Sequence, residues 1–126
     1  MKRILIIDDE KEFCSVLKKN LERISGYEVI IANDGKKGIL EARKQKPDLI
    51  LLDIMMPQMN GLEVLKKLKE DKETIAIPVI MLTAKSDEAS RIEAAYSYGD
   101  DYIAKPVDAQ TLRSRIEAIF TRKGGK

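Results

Sequence analysis

The chain contains no histidine and no tryptophan, and only one cysteine among its 126 residues. Without histidine it has no imidazole base, no His-Asp catalytic pair and no imidazole ligand for a metal. One cysteine, Cys14, rules out an internal disulfide and any multi-cysteine metal site, and its place in an apolar helical pattern reads as packing. Long apolar runs are missing too: Met1-Lys2-Arg3 leads into four apolar residues, Ile4 to Ile7, before Asp8-Asp9. That is too short for the apolar region of a signal peptide and far too short to span a bilayer, so a cytosolic chain with no membrane partner is expected. No sign of charge dominates, because charged residues make up 35% of the chain yet the net charge is only +2. Nothing in that balance points to direct nucleic-acid binding or to an anionic membrane surface.

What is present is one domain's worth of chain, long enough to bury a core without disulfides or a structural metal. Five apolar, β-branched runs recur: Arg3 to Asp8, Tyr27 to Ala32, Asp48 to Asp53, Ile77 to Leu82, and Asp101 to Ala104. Each reads as a buried strand. Amphipathic stretches separate them. In the first, Phe13, Val16, Leu17, Leu21 and Ile24 fall on one face, Lys18, Lys19, Glu22 and Arg23 on the other, and Gly26 is placed to end the helix. Asn33 or Asp34 can cap the second helix, Leu62, Leu65 and Leu68 stripe the third, and Ser86 can cap the fourth. Asp108 can cap the fifth, ahead of Leu112, Ile116 and Ile119.

Strict strand–helix alternation with short connections predicts a doubly wound α/β fold, a five-stranded parallel sheet covered on both faces. The near-continuous runs Ile4-Leu5-Ile6-Ile7 and Leu49-Ile50-Leu51-Leu52 are what strands buried on both faces require. Residues 1–121 form the expected domain, and 122–126 read as the fraying end of the last helix or the start of a linker.

In such sheets ligands bind beyond the carboxyl ends of the strands, where strand order reverses. The residues closing the strands here are Asp8-Asp9, Asp53, Thr83 and Lys105. If the strand order is 2-1-3-4-5, as in flavodoxin-like folds, Asp8, Asp9 and Asp53 converge on one pocket. Three carboxylates that close either hold protons or recruit a cation, and an oxygen-only donor set suits a hard ion such as Mg2+. A carboxylate can itself be the nucleophile in phosphoryl transfer, with Thr83 and Lys105 offering a hydroxyl and an ammonium to the remaining oxygens. Acids after strands also cap helices, so each residue alone is ambiguous. Five of them on the strand ends of one sheet make a coherent phosphoryl-transfer site, which independent capping does not produce.

The segments Ile6-Ile7-Asp8-Asp9-Glu10, Leu51-Leu52-Asp53-Ile54-Met55-Met56-Pro57 with Asn60-Gly61-Leu62, Leu82-Thr83-Ala84, and Gly99-Asp100-Asp101-Tyr102-Ile103-Ala104-Lys105-Pro106 carry a resemblance. Nearly the whole chain, in order, resembles response-regulator receiver domains of the CheY-like superfamily. The resemblance implies Asp53 as the phosphoacceptor and Asp9 as a direct Mg2+ ligand. It makes Asp8 a ligand through water and Met55 a ligand through its backbone carbonyl, with Thr83 and Lys105 on the phosphoryl group. It also implies a cis peptide between Lys105 and Pro106, and a switch in which Thr83 moves toward the phosphoryl group while Tyr102 turns inward. That switch would change the face built from the fourth helix, the fifth strand and the fifth helix.

By the same resemblance the phosphodonor is a sensor histidine kinase or a histidine phosphotransfer protein, and the chain is a switch rather than a turnover enzyme. Met55 and Lys85 stand where relatives tune the lifetime of the phosphoryl group. Arg91, Asp100, Asp101 and Arg115 stand where transcription-factor members pair two activated receivers, although Thr111 departs from the acidic residue often found there. Two rivals are weaker. A phosphatase of the haloacid-dehalogenase class needs a second acid two residues after its aspartate, where this chain has Met55. A flavin or nucleotide carrier would want glycines and hydroxyls after the first strand, where this chain has Asp8-Asp9-Glu10-Lys11-Glu12. A degenerate receiver acting only as a protein-binding scaffold stays open as an alternative.

Overall fold

The computed structural model describes residues 1–84 and 100–124. Five strands, β1 (Arg3–Ile7), β2 (Glu28–Ala32), β3 (Leu49–Asp53), β4 (Val79–Ala84) and β5 (Asp101–Lys105), form one parallel sheet in the order β2-β1-β3-β4-β5. The helices are α1 (Lys11–Ser25), α2 (Gly35–Gln45), α3 (Gly61–Glu70) and α4 (Ala109–Gly124). The helix expected fourth, with Lys85, Ser86 and Arg91, lies outside the described residues, so α4 is the helix that the sequence places fifth.

Period-two alternation along the strands sorts side chains to opposite faces. Ile4, Ile6, Leu49, Leu51, Ile80 and Leu82 join α1 and α4 in one core cluster, while Leu5, Ile7, Ile50, Leu52, Val79 and Met81 join α2 and α3 in the other. Each such side chain, fully buried, contributes about 1.5–3 kcal/mol, and the two layers pin the sheet from both sides. Gly38 lets α2 lie close on β1, because a Cβ there would meet the Ile7 side chain at 2.6–2.8 Å.

The structure corrects some local expectations. Val16 is 59% exposed rather than on the apolar face of α1, where Cys14, Leu17 and Leu21 fill the space. In α3, Leu65 and Leu68 are buried as expected, but Val64 shares the core with them and Leu62 is only half-buried. Strand β4 begins at Val79, not Ile77. Ile77 donates to the Thr74 carbonyl within a turn, and Pro78 has no N–H for a ladder. Strand β4 also runs on to Ala84, which pairs with Lys105.

Capping follows the sequence closely. Asp34 caps α2 by accepting from the Lys37 amide at 2.8 Å. Asp108 accepts from the Thr111 amide at 2.7 Å, and that bond holds the Asp108 carboxyl below its ordinary range. Gly26, left-handed at φ 71°, ends α1. Helix α4 runs through Gly124, so the first residues of 122–126 continue it. Among the described residues no helix is long and apolar enough to cross a membrane.

Candidate functional site

The carboxyl edge of the sheet gathers the chemistry. Asp8 and Asp9 follow β1, Asp53 ends β3, Thr83 lies near the end of β4 and Lys105 ends β5. Because β3 sits between β1 and β4, the three aspartates meet, each offering one oxygen within 4.8 Å of the others. Asp8 and Thr83 are fully buried, Asp53 nearly so, and Asp9 is exposed. A cavity of about 640 Å³ opens over Asp53, lined by Asp9, Glu10 and Lys105 on its polar side and by Phe13, Met55, Pro106 and Val107 on its apolar side.

Burial and repulsion dominate the electrostatics. Burial, then the neighbouring Asp8 charge, pushes the Asp53 carboxyl up to about 7, against the opposing pull of Lys105 and a hydrogen bond from the Met55 amide. Lys105 sits 2.9 Å from Asp8 Oδ2, 2.6 Å from Glu10 Oε1 and 3.7 Å from Asp53 Oδ1. Burial works against its charge, but the neighbouring Glu10 and Asp8 carboxylates outweigh that and hold the ammonium above its ordinary value. Its Nζ also lies 4.5 Å from the Phe13 ring centroid.

One ammonium does not satisfy this group. Asp8 Oδ2 has Lys105 as an ion-pair partner but accepts no aligned hydrogen bond among the described residues, while Asp8 Oδ1 takes the Glu10 amide at 3.0 Å. Three carboxylates against one lysine, with a buried oxygen left under-satisfied, fit a small divalent cation with oxygen ligands. Cys14 offers no competing ligand. Burial, then Asp8, pushes its thiol up to about 12, and its Sγ donates to the Asp8 carbonyl.

Thr83 Oγ1 is buried with no hydrogen-bond partner among the described residues. A buried hydroxyl left unpaired costs about 1–3 kcal/mol, whereas an apolar group of the same shape does not. Thr83→Val is therefore expected to raise the urea midpoint, by about 1 kcal/mol of stability. A lowered midpoint would show that the hydroxyl has a partner. Tyr102, half-buried on β5, packs against the α2–α3 side of the core. The Lys105–Pro106 peptide is cis.

Three supporting residues were not singled out from the sequence. Glu10 makes the shortest contact to Lys105. Asn33, weighed as a helix cap, instead donates to the Asp8 carbonyl at 2.9 Å. Gly61 donates its amide to the Ile54 carbonyl at 2.8 Å, tying the start of α3 to the end of β3. The Asn60–Glu63 capping box fixes that helix start, each side chain accepting from the other's amide at 3.0 Å.

Residues 4–117 match the response regulator receiver domain family, and the chain belongs to it. It is 42% identical over 121 residues to the alkaline phosphatase synthesis transcriptional regulatory protein PhoP of Bacillus subtilis (strain 168), covering 96% of this chain and 49% of that protein. It is 41% identical over 120 residues to protein PilH of Pseudomonas aeruginosa, covering 95% of this chain and 98% of that protein. The chain thus spans about half the length of PhoP but nearly all of PilH. Among solved structures, a CheY-like receiver domain protein from Methanospirillum hungatei JF-1 superposes with a TM-score of 0.91 at 30% identity, over 99% of this chain and 98% of that one. Receiver domains of this family are signalling switches of two-component systems, and response regulators take phosphoryl groups from histidine kinases.

Proposed function

We propose that Asp53 accepts a phosphoryl group in an Mg2+-dependent reaction, from a phosphohistidine on a sensor histidine kinase or a histidine phosphotransfer protein. The observation that carries this reading is the buried carboxylate cluster facing Lys105 at the carboxyl edge of the sheet. Asp8, Asp9, Asp53 and the Met55 carbonyl would hold the ion. When bound, Mg2+ supplies the positive charge that lets an anionic carboxylate approach an anionic phosphoryl group.

Asp53 forms the new O–P bond as the donor's N–P bond breaks. The imidazole nitrogen keeps the electron pair and takes a proton from solvent. Lys105 brings an ammonium, and Thr83 a hydroxyl that is unpaired among the described residues, to the phosphoryl oxygens. Recruiting Thr83 lets Tyr102 turn inward, and the surface of β5 and α4 changes for an output partner. The receiver unit is residues 1–121 of a cytosolic protein, and it is a switch rather than a turnover enzyme.

Met55 opens onto the cavity with an apolar side chain, 62% exposed, that cannot orient an attacking water. Slow loss of the phosphoryl group is therefore expected, and loss within seconds in purified protein would contradict it. Pairing of two phosphorylated copies across the β5–α4 face belongs to the same reading. Asp101 and Arg115 lie on that face, paired with each other at 2.7 Å within one chain and available for exchange. Sizing the protein with and without a phosphoryl mimic tests this, and an unchanged size contradicts it.

The acceptor reading itself is tested by intact mass after incubation with Mg2+ and acetyl phosphate. One added phosphoryl group is expected, absent when the metal is chelated and absent in Asp53→Asn. No adduct under any condition would favour a receiver that serves only as a scaffold.

A further inference from the structure

Lys105 Nζ has three N–H donors to place. Glu10 Oε1 lies closest at 2.6 Å and Asp8 Oδ2 next at 2.9 Å, while Asp53 Oδ1 at 3.7 Å is beyond hydrogen-bond distance. The lysine thus sits nearer to Glu10 and Asp8 than to the carboxylate that it is to serve. Among the described residues the Glu10 side chain bonds to Lys105 alone. Its side chain is 60% exposed, and although it occupies the N-cap of α1 it makes no side-chain capping bond there. An N-cap favours Ser, Thr, Asp or Asn, whose short side chains reach the first amides of the helix. Here the longer glutamate bypasses those amides and reaches across to β5, 95 residues away in sequence.

We infer that Glu10 is a positioning residue that restrains phosphoryl acceptance, holding Lys105 on itself and releasing it when a phosphoryl group arrives at Asp53. The inference rests on the acceptor reading above. A lysine that meets phosphoryl oxygens has to loosen its bond to Glu10, so the Glu10–Lys105 pair opposes the phosphorylated state. Replacing the charge removes that opposition. The Glu10 end of the pair is exposed to solvent, so the effect is modest, about two- to fivefold.

The test uses the full chain with Mg2+ and two readouts: affinity for beryllofluoride, a phosphoryl-shaped anion, followed by fluorine NMR, and the initial rate of phosphorylation by acetyl phosphate. Glu10→Gln is expected to bind beryllofluoride about two- to fivefold tighter and to be phosphorylated faster by a similar factor. Glu12→Gln removes the same charge from the first turn of α1 and is expected to change neither. Circular dichroism confirms that both variants are folded. Equal or weaker binding by Glu10→Gln overturns the inference. So does an equal gain in Glu12→Gln, which would assign the effect to net charge alone. If the unaltered chain takes neither beryllofluoride nor phosphoryl group, the acceptor reading itself falls, an outcome distinct from the other two.

Discussion

Asp53→Asn is expected to stabilise the metal-free protein while abolishing its capacity to be phosphorylated. At pH 8 the unaltered chain must keep Asp53 ionised beside the Asp8 carboxyl in a buried cluster, which the position of Asp53 at about 7 marks as unfavourable. An amide of nearly the same shape removes one charge, and a gain of about 2 kcal/mol is expected.

The pH dependence follows with a definite sign. A carboxyl raised from 3.8 to about 7 keeps its proton longer in the folded than in the unfolded chain, so its contribution to stability falls as pH rises through that interval. In urea titrations the advantage of Asp53→Asn should therefore be small near pH 4, grow up to about pH 7 and then level off. Mg2+ should narrow the gap. Binding only the folded state at ten times its dissociation constant, it adds about 1.4 kcal/mol to the unaltered chain, and less to the variant. A variant less stable than the parent at pH 8 without metal would contradict this account of the cluster.

Gly61→Ala should have the larger effect on folding. A Cβ at Gly61 falls against the Asp53 carbonyl oxygen, 2.7 Å from Ile54 Cα and 2.9 Å from the Asp53 carbonyl carbon. All three are backbone atoms, so no side-chain rotation relieves the clash, and either α3 or the end of β3 must move. A loss of about 3 kcal/mol is expected, at the upper end for overpacking. Because the displaced atoms belong to Asp53, phosphorylation should also fall, by about 100-fold for a shift near 1 Å. Gly26→Ala makes a useful comparison, since its Cβ would meet nothing within 4 Å and only its left-handed φ resists the change. That variant should be mildly destabilised, by about 1 kcal/mol, with phosphorylation intact. A Gly61→Ala protein with parental stability would show that α3 shifts freely against the sheet.

These contrasts follow the boundary between what the sequence reveals and what it conceals. Apolar runs such as Leu49 to Leu52 can be satisfied only by a strand covered on both faces, so the sheet was readable, and with it the gathering of Asp8, Asp9 and Asp53 at one edge. Thr83 and Lys105 were readable for the same reason, since strand ends in a parallel sheet share an edge. Val16 was misplaced because helical spacing marks a broad stripe, and packing by Cys14, Leu17 and Leu21 decides which residues it buries. The start of β4 could have been read from Pro78. Glu10 and Gly61 stand within recognisable motifs, but their roles depend on distances between elements far apart in sequence, to β5 for Glu10 and to the end of β3 for Gly61. No local pattern reports such distances.

The central claim is that the acceptor atom belongs to Asp53, and reductive trapping tests it most directly. After phosphorylation with acetyl phosphate and Mg2+, borohydride converts an aspartyl phosphate to homoserine, and peptide mass spectrometry locates the converted residue. Homoserine at position 53 alone, dependent on the donor and on Mg2+, is the predicted result. Conversion at Asp8, Asp9 or elsewhere, or a stable phosphoryl group that borohydride does not reduce, would contradict it.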